Sequence, residues 1–250
     1  MAASTAMSAA FQLPQARDSA AVRFHNATSM LAIGEALPAV AVPSARAAIA
    51  LPAVAIDGPM SLEAAIMARR SRRDFAARPM PLASLARLLA LGCGVLVPRP
   101  DLPGGRGRAA PSAGATYPLN AHVLASRVTG LSPGSYRYEV QTHRLIAGRA
   151  GGAGAEFAHW ALGQQWLADA AAIIMLTGVP ARITPRYAAR GYRYMLFEAG
   201  HIAQNMCLLA AVNGLAAQTG GGFVDAAVAR LLALPTGEMA LYFVAVGPGE

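Results

Sequence analysis

Residues 191–214 read GYRYMLFEAGHIAQNMCLLAAVNG, which is the longest uninterrupted helical pattern in the chain. Apolar side chains, among them Met195, Ile202 and Leu209, occur at nearly every angle around this helix, and in a soluble protein that distribution is typical of a helix buried on most sides. Gly214 follows the last apolar turn and supplies a helix stop. We therefore expect the rest of the fold to pack around this central helix.

The few polar side chains of the central helix form a single strip along its surface, and they are Glu198, His201, Gln204 and Asn205. A mostly buried helix with one polar strip needs a polar partner, which is a cofactor, a second subunit or the backbone of neighbouring loops. Glu198 and His201 also have the spacing of one half of a carboxylate di-metal site. Because the sequence contains no second such pair, we expect no metal.

The composition predicts one large domain and excludes several classes of protein. Of the 250 residues, 55% are hydrophobic and 14% are charged, which is ample material for a core. The apolar runs are interrupted by charges and prolines, so we expect no membrane span, and residues 1–18 lack the regions of a signal peptide. Cys93 and Cys207 are too few for a disulfide framework or a zinc cluster. The expected location is the cytoplasm.

The net charge of +8 comes from arginine alone. All 21 basic residues are Arg, which together with the many Ala and Gly residues indicates a compositional bias of the coding sequence. The Arg-rich stretches at 69–73 and 99–108 lack interleaved aromatic residues for stacking on bases. We therefore expect no nucleic acid partner, and contacts of arginine with the phosphate of a small ligand instead.

The order of predicted elements indicates an α+β fold with one central mixed sheet flanked by helices. Residues 1–56 are rich in Ala, Pro and Val without steady periodicity, and we interpret them as a disordered or irregular N-terminal arm. The organised domain is expected to span residues 57–250. Ser61 caps its first helix, and the continuous apolar run at 169–178 predicts a fully buried strand.

The segment 69–73 reads RRSRR and ends the first predicted helix. Several guanidiniums and one hydroxyl within a turn can hold a phosphate through charge-assisted hydrogen bonds. The alternative is a solvated basic helix end that complements the helix dipole.

Two segments of small residues are candidates for contacts with a flat ligand. The segment 111–118 reads PSAGATYP and precedes a strand, and its small side chains allow close approach of the backbone. The glycine run at 220–222 can donate backbone N–H groups to a polar ligand edge. An ordinary tight turn is the alternative for both segments.

Arg186 and Tyr187 form the last candidate group. A nearby positive charge favours the phenolate form of a tyrosine, so Tyr187 can take part in proton transfer. A packed tyrosine beside a surface arginine is the common alternative.

Taken in order, these segments resemble the nitroreductase superfamily, and specifically its SagB-type dehydrogenases, which oxidise azolines to azoles during the maturation of peptide natural products. The resemblance begins at RFHNAT (23–28) and continues through RRSRR, PSAGATYP, GSYRY, RYAARGYRY and EAGHIAQN to GGFVD. It implies a nitroreductase-like fold and an intertwined homodimer that holds FMN at the subunit interface.

The resemblance also implies roles for the candidate residues. The ribityl and phosphate end of FMN would be held by Arg69, Arg70, Ser71 and Arg73. The other subunit would contribute Pro111, Ser112, Ala113 and Gly114. Backbone N–H groups near the reactive flavin nitrogen would come from Gly220, Gly221 and Gly222.

Two departures from the family pattern bear on the chemistry. Arg186 precedes Tyr187 where the azoline oxidisers carry Lys, and arginine cannot act as a general base. Tyr187 is then the candidate base, and Arg186 would orient the substrate or lower the pKa of Tyr187. The sequence also ends without the basic tail that many relatives use on the phosphate, so the cluster at 69–73 would do most of that work.

Three functions are open at this point. The first is a SagB-type oxidoreductase that moves a hydride from an azoline-like or related substrate, a small molecule or a modified peptide, to FMN. The second is an NAD(P)H-dependent reductase of nitro compounds or quinones. The third is a flavin-binding scaffold without catalysis in a peptide-modification complex, which the missing Lys favours.

Overall fold

The computed structural model describes residues 20–29, 47–55, 58–98 and 106–250. Within them the helices are α1 (Ala20–Thr28), α2 (Leu62–Ala68), α3 (Leu82–Cys93), α4 (Ala153–Trp160), α5 (Thr184–Tyr187), α6 (Gly191–Val212) and α7 (Asp225–Leu231). The strands are β1 (Ala48–Ala50), β2 (Val95–Pro98), β3 (Arg106–Arg108), β4 (Leu119–Ala125), β5 (Gly134–Glu139), β6 (Arg144–Ala150), β7 (Ala172–Gly178), β8 (Leu215–Gly220) and β9 (Met239–Pro248).

Seven of these strands form one sheet in the order β1-β6-β5-β4-β7-β9-β8. Every neighbouring pair in this sheet is antiparallel. The parallel component of the predicted mixed sheet is limited, among the described residues, to the isolated bridge between Met80 and Val128. All residues of β7 are buried, as the continuous apolar run predicted. The strands β2 and β3 form a separate hairpin.

The helices cover the two faces of the sheet and create two main hydrophobic cores, beside a small cluster of Trp160, Val224 and Ala227. One core contains α3 and α6, and the other contains α4 and α7. The helices α3 and α6 approach closely at Gly92, where an added Cβ would lie 2.8 Å from the side chain of Met206. The result is a layered α+β architecture with α6 at the centre of the first core.

The central helix occupies the predicted position but is covered on fewer sides than the sequence indicated. Met195, Ile202 and Met206 are buried against α3 and the sheet, whereas Leu196 is 39% and Phe197 is 58% exposed. The described chain therefore leaves one apolar face of α6 in solvent. The run Thr184–Val212 is long and apolar enough to cross a membrane by length and composition alone, but its packing in the core is that of a core helix.

Two regular elements lie inside the predicted irregular arm. The helix α1 contacts the start of α6 through His25, whose Nδ1 lies 3.1 Å from the Tyr192 hydroxyl. The strand β1 pairs with β6 at the edge of the sheet. These tertiary contacts explain why a stretch without clear periodicity is ordered. Residues 1–19, 30–46 and 56–57 lie outside the described residues, so disorder at the start of the chain and the domain boundary stay predictions.

The first predicted helix begins as expected and ends early. The backbone N–H of Ala64 donates to Ser61 Oγ at 3.2 Å, which is the predicted cap. The helix stops at Ala68, because Arg69 has an extended backbone and the N–H of Arg72 donates to the carbonyl of Ala217 at 2.9 Å. The segment 69–73 therefore runs beside the edge strand β8 instead of continuing α2.

Candidate functional site

An open cleft of about 720 Å³ lies between the loop that follows β3 and the short helix α5. The side chains that line it include Arg108, Ser112, Tyr117 and Arg186. Small residues, Gly114 among them, form much of the remaining wall. The cleft therefore brings the segment 111–118 together with Arg186, which the sequence singled out separately.

The loop at 111–118 has a tight left-handed backbone. Gly114, Ala115 and Tyr117 have φ values of 57°, 53° and 45°, a region that side chains other than glycine rarely adopt. Two side-chain bonds hold it: the N–H of Tyr117 donates to Ser112 Oγ at 2.9 Å, and Thr116 Oγ1 donates to the Ala113 carbonyl at 2.9 Å. Strain of this kind persists only where the surroundings fix it, and it is common at functional sites.

Arg186 and Tyr187 contact this loop directly. Nη1 of Arg186 donates to the carbonyl oxygen of Gly114 at 3.3 Å. The Arg186 guanidinium lies 5.6 Å from the centre of the Tyr187 ring, and that ring packs edge-on against Tyr194 at 5.0 Å. The Tyr187 side chain is thus held between the loop and α6, with a cation beside it.

Glu198 braces the same loop from below. This carboxyl group is only 3% exposed, and burial raises its pKa to about 7, although the hydrogen bond from Ser112 and the charge of Arg108 oppose that shift. Its Oε2 is buried and has no hydrogen-bond partner among the described residues. Of the predicted polar strip, Glu198 turns inward to the loop while His201 and Gln204 remain exposed.

Arg108 also lines the cleft, although in the sequence it stood out only as part of the Arg-rich stretch 99–108. It is half-buried on β3, and its guanidinium lies 4.5 Å from the centre of the Tyr117 ring. Burial lowers the pKa of Arg108, and the like charge of Arg182 acts in the same direction. The strand pairing of β3 with β2, which periodicity in a Gly- and Pro-rich segment does not reveal, positions it. Residues 99–105 of the stretch lie outside the described residues.

In the segment 69–73, some side chains form hydrogen bonds within the protein and others are exposed to solvent. Arg72 pairs with Asp74 and donates to the carbonyl of Glu250, while Arg70 donates to the carbonyls of Met67 and Arg69 at 2.6 and 2.8 Å. The side chains of Ser71 and Arg73 are exposed, and Arg73 lies 5.7 Å over the ring of Trp166. The charge of Arg69 acts on Cys207 of α6, whose pKa burial nevertheless raises to about 11.

The glycine run begins at the end of a strand and not in a free loop, since β8 extends to Gly220. A Cβ added to Gly220 would lie 2.4 Å from the ring of Phe243, so no larger residue fits without displacing that ring. Gln164 Nε2 donates to the carbonyl of Gly222 at 3.0 Å, and Gly221 is exposed. In the same strand, Gln218 Oε1 is buried and has no hydrogen-bond partner among the described residues.

These groups suit a flavin nucleotide. The segment 69–73 offers cationic and hydroxyl donors to a phosphate, and the buried, unpartnered Gln218 Oε1 on the adjacent strand is an acceptor for a ligand O–H or N–H. The segment 69–73 contacts β8 at Ala217, and the glycine run begins at the end of the same strand, whereas 111–114 and 186–187 meet at the cleft. A contribution of 111–114 from a second subunit therefore stays a prediction.

A second buried polar cluster lies away from the cleft and was not predicted. Glu238 Oε1 accepts hydrogen bonds from Asn120 Nδ2 at 2.9 Å, from His122 Nε2 at 3.2 Å and from Thr177 Oγ1. Burial alone would raise the pKa of Glu238, but these hydrogen bonds outweigh it and lower the pKa to about 2. Within the described parts of the chain, no three His, Cys, Asp or Glu side chains form a metal-binding group.

Comparison with known protein families identifies the family to which this fold belongs. The model of the nitroreductase family matches residues 66–248, which is most of the chain. The chain belongs to the nitroreductase family. Nitroreductases are generally flavin-dependent oxidoreductases, and the α+β fold with its antiparallel sheet and flanking helices is the nitroreductase-like fold that the sequence predicted.

Relatives and solved structures agree with this family membership. A protein of Methanocaldococcus jannaschii described as a nitroreductase is 34% identical over 173 residues, which cover 69% of this chain and 84% of the relative. A nitroreductase structure from Ralstonia eutropha has 26% identity and a TM-score of 0.71 over 87% of this chain and 97% of that one. The Escherichia coli microcin synthetase McbBCD complex contains a chain with 22% identity and a TM-score of 0.62, with coverage of 71% and 67%.

Proposed function

We propose that this nitroreductase is an FMN-dependent oxidoreductase of the SagB type, acting as a cytoplasmic homodimer on an azoline-like or related substrate. The observation that carries the proposal is the contact of Arg186 and Tyr187 with Gly114, which joins two sequence-predicted segments in one cleft. The flavin dependence that is general in the family supports the choice of cofactor. The likeness of the fold to a chain of the microcin synthetase complex supports the choice of subfamily.

The cofactor is held in this proposal by both clusters. On the phosphate side it contacts Arg69, Arg70, Ser71 and Arg73, and the glycine run at 220–222 offers its backbone N–H groups. Ser71 and Arg73 are exposed, so they can bind a phosphate without first breaking an ion pair. The loop 111–114 is contributed by the partner subunit, and the exposed apolar face of α6 with Leu196 and Phe197 is a surface for that subunit.

Tyr187 handles the proton of the reaction. Bound FMN supplies the acceptor for a hydride that leaves a carbon of the substrate. Formation of the aromatic ring from an azoline also releases a proton from the neighbouring carbon, and Tyr187, whose hydroxyl group lies beside Gly114 of the cleft, accepts it as the general base. Arg186, which lies beside the Tyr187 ring, orients the substrate.

Uptake of FMN by the purified protein is the first test. We expect a stoichiometric flavin complex, a dissociation constant raised about 10-fold by Arg73→Ala and one unchanged by Arg78→Ala, which removes an exposed arginine outside the cluster. Protein that is colourless and does not take up FMN overturns the proposal.

A second candidate is an NAD(P)H-dependent reductase of nitro compounds or quinones. The relative from M. jannaschii that is described as a nitroreductase favours it, as does Arg186 at the position where azoline oxidisers carry Lys. Rapid bleaching of the bound flavin by NAD(P)H with turnover of a quinone would select this candidate. A neighbouring gene for a cyclodehydratase and a short precursor rich in Cys and Ser would select the SagB-type function.

A third candidate is a flavin-binding scaffold that activates a partner enzyme. The microcin synthetase neighbour is part of a multi-subunit complex, which is the arrangement that this candidate needs. Unchanged activity of the complete complex after Tyr187→Phe would select it and would exclude catalysis at Tyr187.

A further inference from the structure

We propose that the cleft beside Gly114 selects substrates that carry a carboxylate group, which is bound by Arg108 and Arg186, the two arginines of the cleft lining. This inference rests on the proposed function, because it names the substrate class of the same site. It concerns the non-reacting end of the substrate and leaves the chemical step at Tyr187 unchanged.

The lining of the cleft favours an anion attached to a flat group. Its volume of about 720 Å³ exceeds that of a single aromatic ring with its substituents, and none of the described residues that line it is acidic. Apart from Ser112 and the two arginines, the lining consists of Tyr117, Pro111 and the small residues Gly and Ala. A planar ligand with one charged end can therefore lie against the loop while its charge faces a guanidinium.

Arg108 has the geometry of an anion-binding arginine without an anion. Its guanidinium carbon lies 4.5 Å over the centre of the Tyr117 ring, and a guanidinium can stack on an aromatic ring and bind a carboxylate through two N–H groups. In the described chain no ion pair joins Arg108 to a carboxylate. Burial and the charge of Arg182 both oppose its protonated form, and a bound carboxylate removes that cost.

Arg186 supplies the second contact. One of its nitrogens donates to the Gly114 carbonyl, and a guanidinium has five N–H donors, so others remain for a ligand. The bond to Gly114 holds the side chain at the wall of the cleft. The two arginines therefore approach a bound anion from different elements, β3 and the helix α5.

Within the described part of the chain, Glu198 is the one carboxyl group near Arg108, and its charge neutralises that of Arg108 only in part. Glu198 lies beside Ser112, and burial raises the pKa of its carboxyl group to about 7. The other titratable groups that surround it are Cys93 at the end of α3, a neutral thiol whose pKa burial raises to about 12, and Tyr194 and His201 on its own helix, which line the same small cavity. When Glu198 ionises, its charge offsets Arg108 and weakens the attraction for an anionic ligand.

The experiment compares two probes of equal shape, 4-nitrobenzoate and 4-nitrobenzamide, by isothermal titration calorimetry with the full chain and without turnover. We expect the carboxylate to bind about 10-fold more tightly than the amide at pH 6. Arg108→Gln should abolish the preference, whereas Arg137→Gln, an exposed arginine on β5, should retain it. Arg108→Lys keeps the charge but loses the planar fork, and we expect it to keep only part of the preference.

Glu198→Gln adds a gain-of-affinity test that damage to the fold cannot mimic. At pH 8 this variant should bind 4-nitrobenzoate a few fold more tightly than the wild type, with binding of 4-nitrobenzamide unchanged. Equal affinity of the wild type for both probes, or a preference that survives Arg108→Gln, overturns the inference. FMN uptake and turnover of a neutral quinone report on the proposed function separately, so that function can stand while this inference falls.

Discussion

A Cβ atom placed on Gly114 would lie 2.6 Å from the hydroxyl oxygen of Tyr187, so the loop and the tyrosine are in contact as closely as a glycine permits. The position of the proposed proton acceptor thus depends on the absence of a side chain on the opposite segment. The two groups are 73 positions apart in the sequence (187 − 114), and the fold makes them one unit.

Gly114→Ala should disturb this unit in two ways. Gly114 has φ 57°, which costs an alanine about 1 kcal/mol or more, and the new methyl group would push Tyr187 out of place. We expect a lower midpoint of thermal unfolding and a fall in kcat of about 10-fold or more. Gly152→Ala is the control, because Gly152 has negative φ and open space around it. Full activity in Gly114→Ala would show that the contact with Tyr187 is dispensable.

Tyr187→Phe should lower kcat by about 100-fold or more while FMN affinity stays the same. The ring remains, so the packing on Tyr194 is kept and only the hydroxyl is lost. Steady-state kinetics with flavin titration checks both parts. Tyr194→Phe is the matched control and should keep its activity. A rate for Tyr187→Phe within a factor of about two of the wild type would remove Tyr187 from the mechanism.

Glu198→Gln should change how stability depends on pH. The pKa of Glu198 is raised from 4.5 in the unfolded chain to about 7 in the folded one. Below about pH 4.5 both states are protonated; as pH rises toward 7 the unfolded state loses its proton first, so stability falls. We expect the wild type to lose roughly 3 kcal/mol relative to Glu198→Gln between pH 4.5 and pH 8. Urea unfolding at both pH values measures this difference.

Ser112→Ala provides the companion variant. The hydrogen bond from Ser112 lowers the pKa of Glu198, so its removal should raise that pKa further and extend the loss of stability to higher pH. A difference in unfolding free energy between wild type and Glu198→Gln that is constant across the pH range would contradict the assignment.

Glu238→Ala should destabilise the fold by about 3 kcal/mol, because it leaves the buried donors of Asn120, His122 and Thr177 without an acceptor. Glu238→Gln keeps an oxygen and should cost less. The folded pKa of about 2 lies below the unfolded value of 4.5, so this contribution is present above pH 4.5 and is lost as pH falls toward 2. Guanidinium unfolding at pH 7 and pH 3 measures both effects.

The control for this cluster is Glu139→Ala, which removes a partly exposed carboxylate 4.0 Å from Arg137. Such a pair contributes less than about 1 kcal/mol. If Glu238→Ala costs no more than Glu139→Ala, the cluster around Glu238 does not stabilise the fold.

Local sequence patterns predicted the elements that are apolar along most of their length. They failed for elements whose formation depends on contacts with residues far away in the sequence. The buried strand β7 and the helix α6 follow from their apolar content alone. The strand β1 and the helix α1 were missed, because their order depends on pairing with β6 and on the contact of His25 with Tyr192. The early end of α2 was missed for the same reason, since the Ala217 carbonyl that captures Arg72 belongs to a strand far along the chain.

The candidate site shows the same division. The small residues at 111–114 and the pair Arg186–Tyr187 were identifiable from their types and spacing. Arg108 and Glu198 become functional candidates only through burial, which changes the charge balance of groups that look ordinary in the sequence. The one signal for Glu198 in the sequence was a carboxylate within a mostly apolar helix, where it belongs to the polar strip.

The strand β9 lies between β7 and β8, although it is the last strand in chain order. During synthesis, β8 and the glycine run are therefore made before β9, the neighbour with which β8 pairs. The edge of β7 that pairs with β9 in the finished sheet is also unpaired at that stage. A long, unpaired apolar strand edge promotes aggregation. Two of the seven strands, β9 and β8, can thus join the sheet only after β9 has been made. Under the proposed function, the glycine run is therefore in place for FMN only in a chain whose translation has passed that strand.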